Sequence, residues 1–164
     1  MKTAFYWMAW IALGFAGTPS ASPLRDALAM IETGASSPLA GDSDHVVGGS
    51  GEISRFQIMP LVWKAYTKSK NHTNPEVAWT VTKRILADRV GTFEKATGRS
   101  PEPIELYLLW NKPGHFEGVG YQLEKVSRTY RDRAQRFHNL YLTLGGGPVN
   151  RPSLVDAPAP TASP

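Results

Sequence analysis

Apolar residues recur along this chain at spacings of three and four, the period of a helix that buries one face. Positions 24–32 place Leu24, Ala27, Leu28 and Ile31 on one side, with Pro23 ahead of them and Thr33-Gly34 as a stop signal. Pro60 opens a short apolar element with Leu61, Trp63 and Tyr66. The best-marked helix follows Asn74-Pro75, a capping residue with Pro at the first helical position, and carries Val77, Ala78, Val81, Ile85, Leu86, Val90 and Phe93 up to Gly98. A further helix is predicted over 103–110, ended by Asn111-Lys112-Pro113-Gly114, and a last one over about 122–142, where Leu123, Val126, Tyr130, Ala134, Phe137 and Tyr141 form the stripe. Over 34–51 the pattern dissolves into Gly, Ser, Asp and Pro around His45-Val46-Val47, which predicts a long loop or a small β-hairpin. The expected fold class is mainly α, with one irregular insertion after the first helix; such stretches are often functional.

The two ends fall outside this pattern. Lys2, an apolar run over 4–16 and small residues over 18–22 have the layout of a signal peptide at 1–22. The run is shorter than the ~20 apolar residues a bilayer span requires, so cleavage and export to the periplasm or exterior, with no stable membrane span afterwards, is the expectation, and an uncleaved N-terminal anchor is the alternative. From Gly145 the chain becomes Gly-Gly-Gly-Pro and then a Pro-, Ala- and Ser-rich tail to Pro164, too poor in bulky apolar residues to offset its ordering entropy. A disordered tail over 145–164 and one domain over 23–144 follow. With 41% hydrophobic residues in 164, the chain can fill a single core.

Composition narrows the chemistry. With no cysteine, an exported domain has no disulfide, thiolate nucleophile or lipid-anchored thiol, and packing alone must hold it. The net charge of +4 suits a polyanionic neighbour, whether cell-wall glycan, an anionic membrane surface or nucleic acid. Lys and Arg are interspersed with acids, so no nucleic-acid footprint emerges. His45, His72, His115 and His138 lack metal-ligand spacing, and Gly48-Gly49-Ser50-Gly51 lacks the Lys-Ser/Thr ending of a phosphate loop. No metal or cofactor is expected, and the chain is expected to act as a monomer.

Cleaving a glycosidic bond needs an acid that is still protonated near neutral pH. Glu32 follows the apolar run Ala29-Met30-Ile31 at the partly negative end of the first helix, where both dipole and desolvation disfavour its charge. On local physics alone a solvated helix-end acid is the commoner arrangement. Three segments in order change the balance. Residues 27–34, Ala-Leu-Ala-Met-Ile-Glu-Thr-Gly, resemble the opening signature of the lytic-transglycosylase domain family, an apolar helix ending in Glu followed by Ser. Residues 54–60, Ser-Arg-Phe-Gln-Ile-Met-Pro, are similar to its second signature, Gly-Leu-Met-Gln-Ile-Met-Pro, and Leu109-Trp110-Asn111 with Gly114 resembles its third, Ala-Tyr-Asn followed by Gly.

The resemblance implies a lysozyme-like helical domain that cleaves the MurNAc–GlcNAc bond of peptidoglycan glycan strands. Glu32 would be the proton donor, Gln57 would contact the sugar or orient the acid, and Asn111 would shape the groove floor. The sugar's own 6-hydroxyl would then close a 1,6-anhydro ring. Departures bear on the groove. Thr33 replaces Ser and keeps a hydroxyl for the acid or a substrate amide; Arg55-Phe56 makes the wall bulkier and more basic; Trp110 replaces Tyr and cannot accept a hydrogen bond, leaving Tyr107, one turn earlier, to supply a phenol. Trp63, Trp79 and Trp110 are candidate sugar-stacking rings, with Trp79 assigned to the core and Trp110 to the groove. Glu52, with Asp42 and Asp44 behind it, is a second carboxylate that would turn the reaction toward hydrolysis, as in a lysozyme; pairing of Glu52 with Arg55 or solvent is the alternative. A glycan-binding or assembly module without turnover is the reading from another class.

Overall fold

The computed structural model describes residues 22–38, 44–149 and Leu154. Six α-helices account for most of them: α1 (Pro23–Thr33), α2 (Pro60–Tyr66), α3 (Pro75–Thr97), α4 (Pro103–Asn111), α5 (Pro113–Gly118) and α6 (Arg128–Thr143). Five of the six begin with proline, a residue whose fixed φ suits the first turn and whose missing N–H is not needed there. Asn74 caps α3 by accepting from the Glu76 and Val77 N–H groups, and Gly98 ends it at φ 73°. Gly34 ends α1 in the same left-handed conformation, at φ 71°.

The hub is α4. It is buried nearly all round, with Leu106, Tyr107, Leu108 and Leu109 each no more than 2% exposed, and it packs on α6, α3 and α5. Its one buried charge, Glu105, is fully engaged: it accepts from the Glu102 N–H and from both Nη atoms of Arg99. The α6 stripe meets α4 and α1, where Phe137 stacks on Tyr107 with ring centroids 5.0 Å apart. Arg25 of α1 pairs with Glu76 of α3 at 2.8 Å.

Several sequence expectations change in detail. No hairpin forms among the described residues of the segment after α1; the strand-like contact is a single antiparallel bridge, Ile53 to Ile58, beyond it. The chain does not stop at Pro113 but turns and begins α5, because Pro113 suits a first turn as well as it ends the previous helix. The last helix starts at Arg128 rather than near 122: Leu123–Lys125 form a separate 3-10 turn, and Val126 and Ser127 are extended. Of the expected signal peptide, residues 1–21 lie outside the described residues. Of the tail, Val149 and Leu154 pack on the core, while 150–153 and 155–164 lie outside the described residues. Among the described residues no helix is long and apolar enough to cross a membrane.

Candidate functional site

Glu32 stands four residues after the buried Leu28, so its side chain leaves α1 on the face that packs inward. Only 5% of that side chain is exposed. Facing it, Tyr107, Trp110 and Asn111 occupy positions i, i+3 and i+4 of α4 and therefore share one helix face. The Tyr107 hydroxyl donates to Glu32 Oε1 at 2.7 Å and Asn111 Nδ2 donates to the same oxygen at 3.4 Å. Arg133 of α6 donates to Oε2 at 3.0 Å and to the Ile31 carbonyl at 3.4 Å, which also satisfies an orphan carbonyl at the end of α1.

Burial dominates the acid's protonation. It pushes the Glu32 carboxyl above its ordinary value, against the opposing effects of the Tyr107 hydrogen bond, the Arg133 charge and the Asn111 amide. Burial and the neighbouring carboxylate push the Tyr107 phenol up as well, so it stays a donor.

The acid opens onto a groove of about 890 Å³ lined also by Glu52, Gln57, Met59, Trp110 and Asn111. Its second wall is a tight turn. Ser54 and Gln57 both adopt left-handed backbone, at φ 63° and 51°, a conformation rare outside glycine. The strain is held by the Ile53–Ile58 bridge and by the burial of Phe56 and Ile58, which anchor the turn in the core. Gln57, between those two anchors, faces the groove, and its amide donates to the Val46 and Ser54 carbonyls at 3.3 and 3.1 Å. Its Oε1 accepts none of the described hydrogen bonds. Glu52 accepts from the Ser50 N–H at 3.0 Å; its own N–H first, and then that bond, hold its carboxyl below the ordinary range.

The structure thus brings together Glu32, Glu52, Gln57, Tyr107, Trp110 and Asn111. Thr33 is elsewhere: its hydroxyl donates to the Ala29 carbonyl at 2.7 Å, accepts from the Ala35 N–H at 3.3 Å and does not line the groove. The expected bulky basic wall is also absent. Phe56 is in the core, and Arg55 is buried in a two-point ion pair with Asp44, so the Arg55–Glu52 pairing is not made and Asp44 is not among the groove-lining residues. Asp42 lies outside the described residues. Trp63 is buried away from the groove, its indole donating to the Ser69 carbonyl at 2.6 Å; Trp79 is half-buried against Phe56. Trp110 reaches the groove but is 7% exposed, and Arg89 covers its ring at 5.5 Å, so it offers an edge more than a stacking face.

The sequence reading missed the cations. Arg89, Lys112, Arg133 and Arg136 all line the groove, against two carboxylates. Arg133 was detectable in principle, since it lies three residues after Tyr130 and four before Phe137, a charge inside the apolar stripe of α6. Among the described residues no group of three acidic, His or Cys side chains is arranged to hold a metal. Compared with protein-family models, with curated proteins and with solved structures, the chain matches none.

Proposed function

We propose that this protein is an exported peptidoglycan lytic transglycosylase with a lysozyme-like helical domain, and that Glu32 is its general acid. The observation that carries the reading is the burial of Glu32 at the end of α1, with its pKa raised, in hydrogen-bond contact with Tyr107 and Asn111 beside an open groove. A glutamate in that state holds a proton at pH values where an exposed one has lost it. It protonates the glycosidic oxygen as the bond to the muramoyl anomeric carbon breaks. The muramoyl 6-hydroxyl then attacks that carbon and returns its proton to Glu32, closing the 1,6-anhydro ring. Tyr107 orients the carboxyl, and Gln57 and Asn111 present amides to the sugar.

A hydrolytic outcome has one specific observation in its favour. Glu52 lines the same groove with its pKa displaced downward while that of Glu32 is displaced upward, the division of labour of a two-carboxylate glycosidase. Mass spectrometry of peptidoglycan sacculi digested with the purified protein separates the readings. Muropeptides ending in 1,6-anhydro sugars support transglycosylation, reducing ends support hydrolysis, and binding without release of fragments removes the enzyme reading.

A further inference from the structure

Arg133 lines the groove beside the acid. It contacts Glu32, yet 40% of its side chain is exposed where Glu32 retains 5%. A guanidinium has five N–H donors; Arg133 donates through one nitrogen to Glu32 and to the Ile31 carbonyl and also bears on the Tyr107 hydroxyl, which leaves donors on its other nitrogens for a ligand. Three residues on, Arg136 lies on the same face of α6, is exposed in the groove, and has neither a hydrogen bond nor an ion pair among the described residues. The nearby acid of this helix, Asp132, is paired with Arg128. By contrast Arg89 is committed to the Leu109 and Trp110 carbonyls at 2.9 and 2.6 Å. Arg133 and Arg136, three residues apart on one face of α6, are thus two groove cations, the first paired with Glu32 through one nitrogen and the second without a carboxylate among the described residues.

Resting on the reading of Glu32 as proton donor, we propose that Arg133 and Arg136 bind a carboxylate carried by the glycan. Its arrival draws Arg133 away from Glu32, so that the acid is charged with its proton when an anionic sugar occupies the groove. Arg133 is then a positioning residue that links substrate recognition to the protonation of the donor.

The electrostatics favour this coupling. The groups facing Glu32 are Tyr107 and Asn111 from α4, Arg133 from α6 and Glu52 from the loop. Of these Arg133 is the one cation, and its charge favours the ionised carboxylate. A ligand carboxylate on these two cations removes that partner and adds negative charge nearby, and both effects favour uptake of a proton from solvent. A neutral sugar does neither. Linkage makes the effect reciprocal: the anionic ligand binds more tightly as pH falls and Glu32 becomes protonated.

The test is a carbon-13 NMR titration of the Glu32 carboxyl in the full chain, free and saturated with a GlcNAc–MurNAc disaccharide or with the same disaccharide whose lactyl carboxylate is converted to an amide. Expected are a higher titration midpoint with the acid form, none with the amide, and roughly tenfold tighter binding of the acid form. Arg133→Gln raises the midpoint of the free protein and abolishes the ligand effect. Arg133→Lys restores part of it, and Arg136→Gln weakens the acid form while leaving the free midpoint in place. Equal shifts with acid and amide, or no shift with either, overturn the proposal. These readouts need no turnover. Failure of the protein to cleave sacculi therefore removes the enzymatic reading separately.

Discussion

The Tyr107 hydroxyl donates to Glu32 Oε1 at 2.7 Å across 75 residues of sequence, joining the middle of α4 to the end of α1. The bond holds the carboxyl in one orientation and opposes the effect of burial on its pKa. Tyr107→Phe therefore leaves the core filled, moves the titration of Glu32 further upward and costs orientation. A loss of activity of roughly tenfold to hundredfold is expected, from a hydrogen bond to a charged group worth about 1.5–3 kcal/mol. A pH–rate profile whose Glu32 limb moves upward, with folding unchanged, checks both effects.

Glu32→Gln is expected to stabilise the fold at neutral pH while removing the acid. The folded Glu32 pKa lies above its ordinary value near 4.5, so the folded state binds more protons than the unfolded one between those two values. Stability linked to this group is fully present below the ordinary value and falls as pH rises through the raised one. Glutamine keeps the size and an acceptor without the charge. A gain of about 1 kcal/mol at pH 7, vanishing toward pH 4, is expected in urea unfolding.

Gly48 is a test of the groove rather than of the core. A Cβ there would collide with the ends of the Gln57 and Glu52 side chains, both of which line the groove. Those are flexible ends, so Gly48→Ala is expected to retain the wild-type melting temperature within a few degrees and to lower activity by displacing Gln57 and Glu52. A comparable loss of thermal stability would contradict that assignment.

Asp44 serves the scaffold. Its side chain and that of Arg55 are 12% and 10% exposed, and the pair ties the loop after α1 to the Gln57 turn. Asp44→Ala leaves a mostly buried guanidinium without its partner, at a cost of about 3 kcal/mol measurable by chemical denaturation. Replacing Glu52 with Gln, in contrast, should reduce the rate by less than tenfold and leave the anhydro product intact. A general base would be worth about a hundredfold or more.

The helices were legible because their signals are local. The apolar period, prolines at first turns, Asn74 and Gly98 specify α1 to α4 without reference to tertiary contacts. Glu32 and Asn111 could be singled out from chain order, and Tyr107 from its spacing to Trp110. Interactions that depend on packing were not legible. Arg55 turns to Asp44 rather than Glu52 because of how the loop folds back, and Thr33 bonds its own helix end. Arg133 reaches Glu32 from 101 residues away, a distance no periodicity spans. The left-handed Ser54 and Gln57 are similarly hidden, since neither residue type announces positive φ.

Wild-type protein and Glu32→Gln, compared for solubilisation of purified peptidoglycan sacculi, test Glu32 as the proton donor. Turbidity loss by the wild type, with Glu32→Gln folded and inactive, is the predicted result. A Glu32→Gln variant that clears sacculi at the wild-type rate would contradict the assignment of Glu32 as the proton donor.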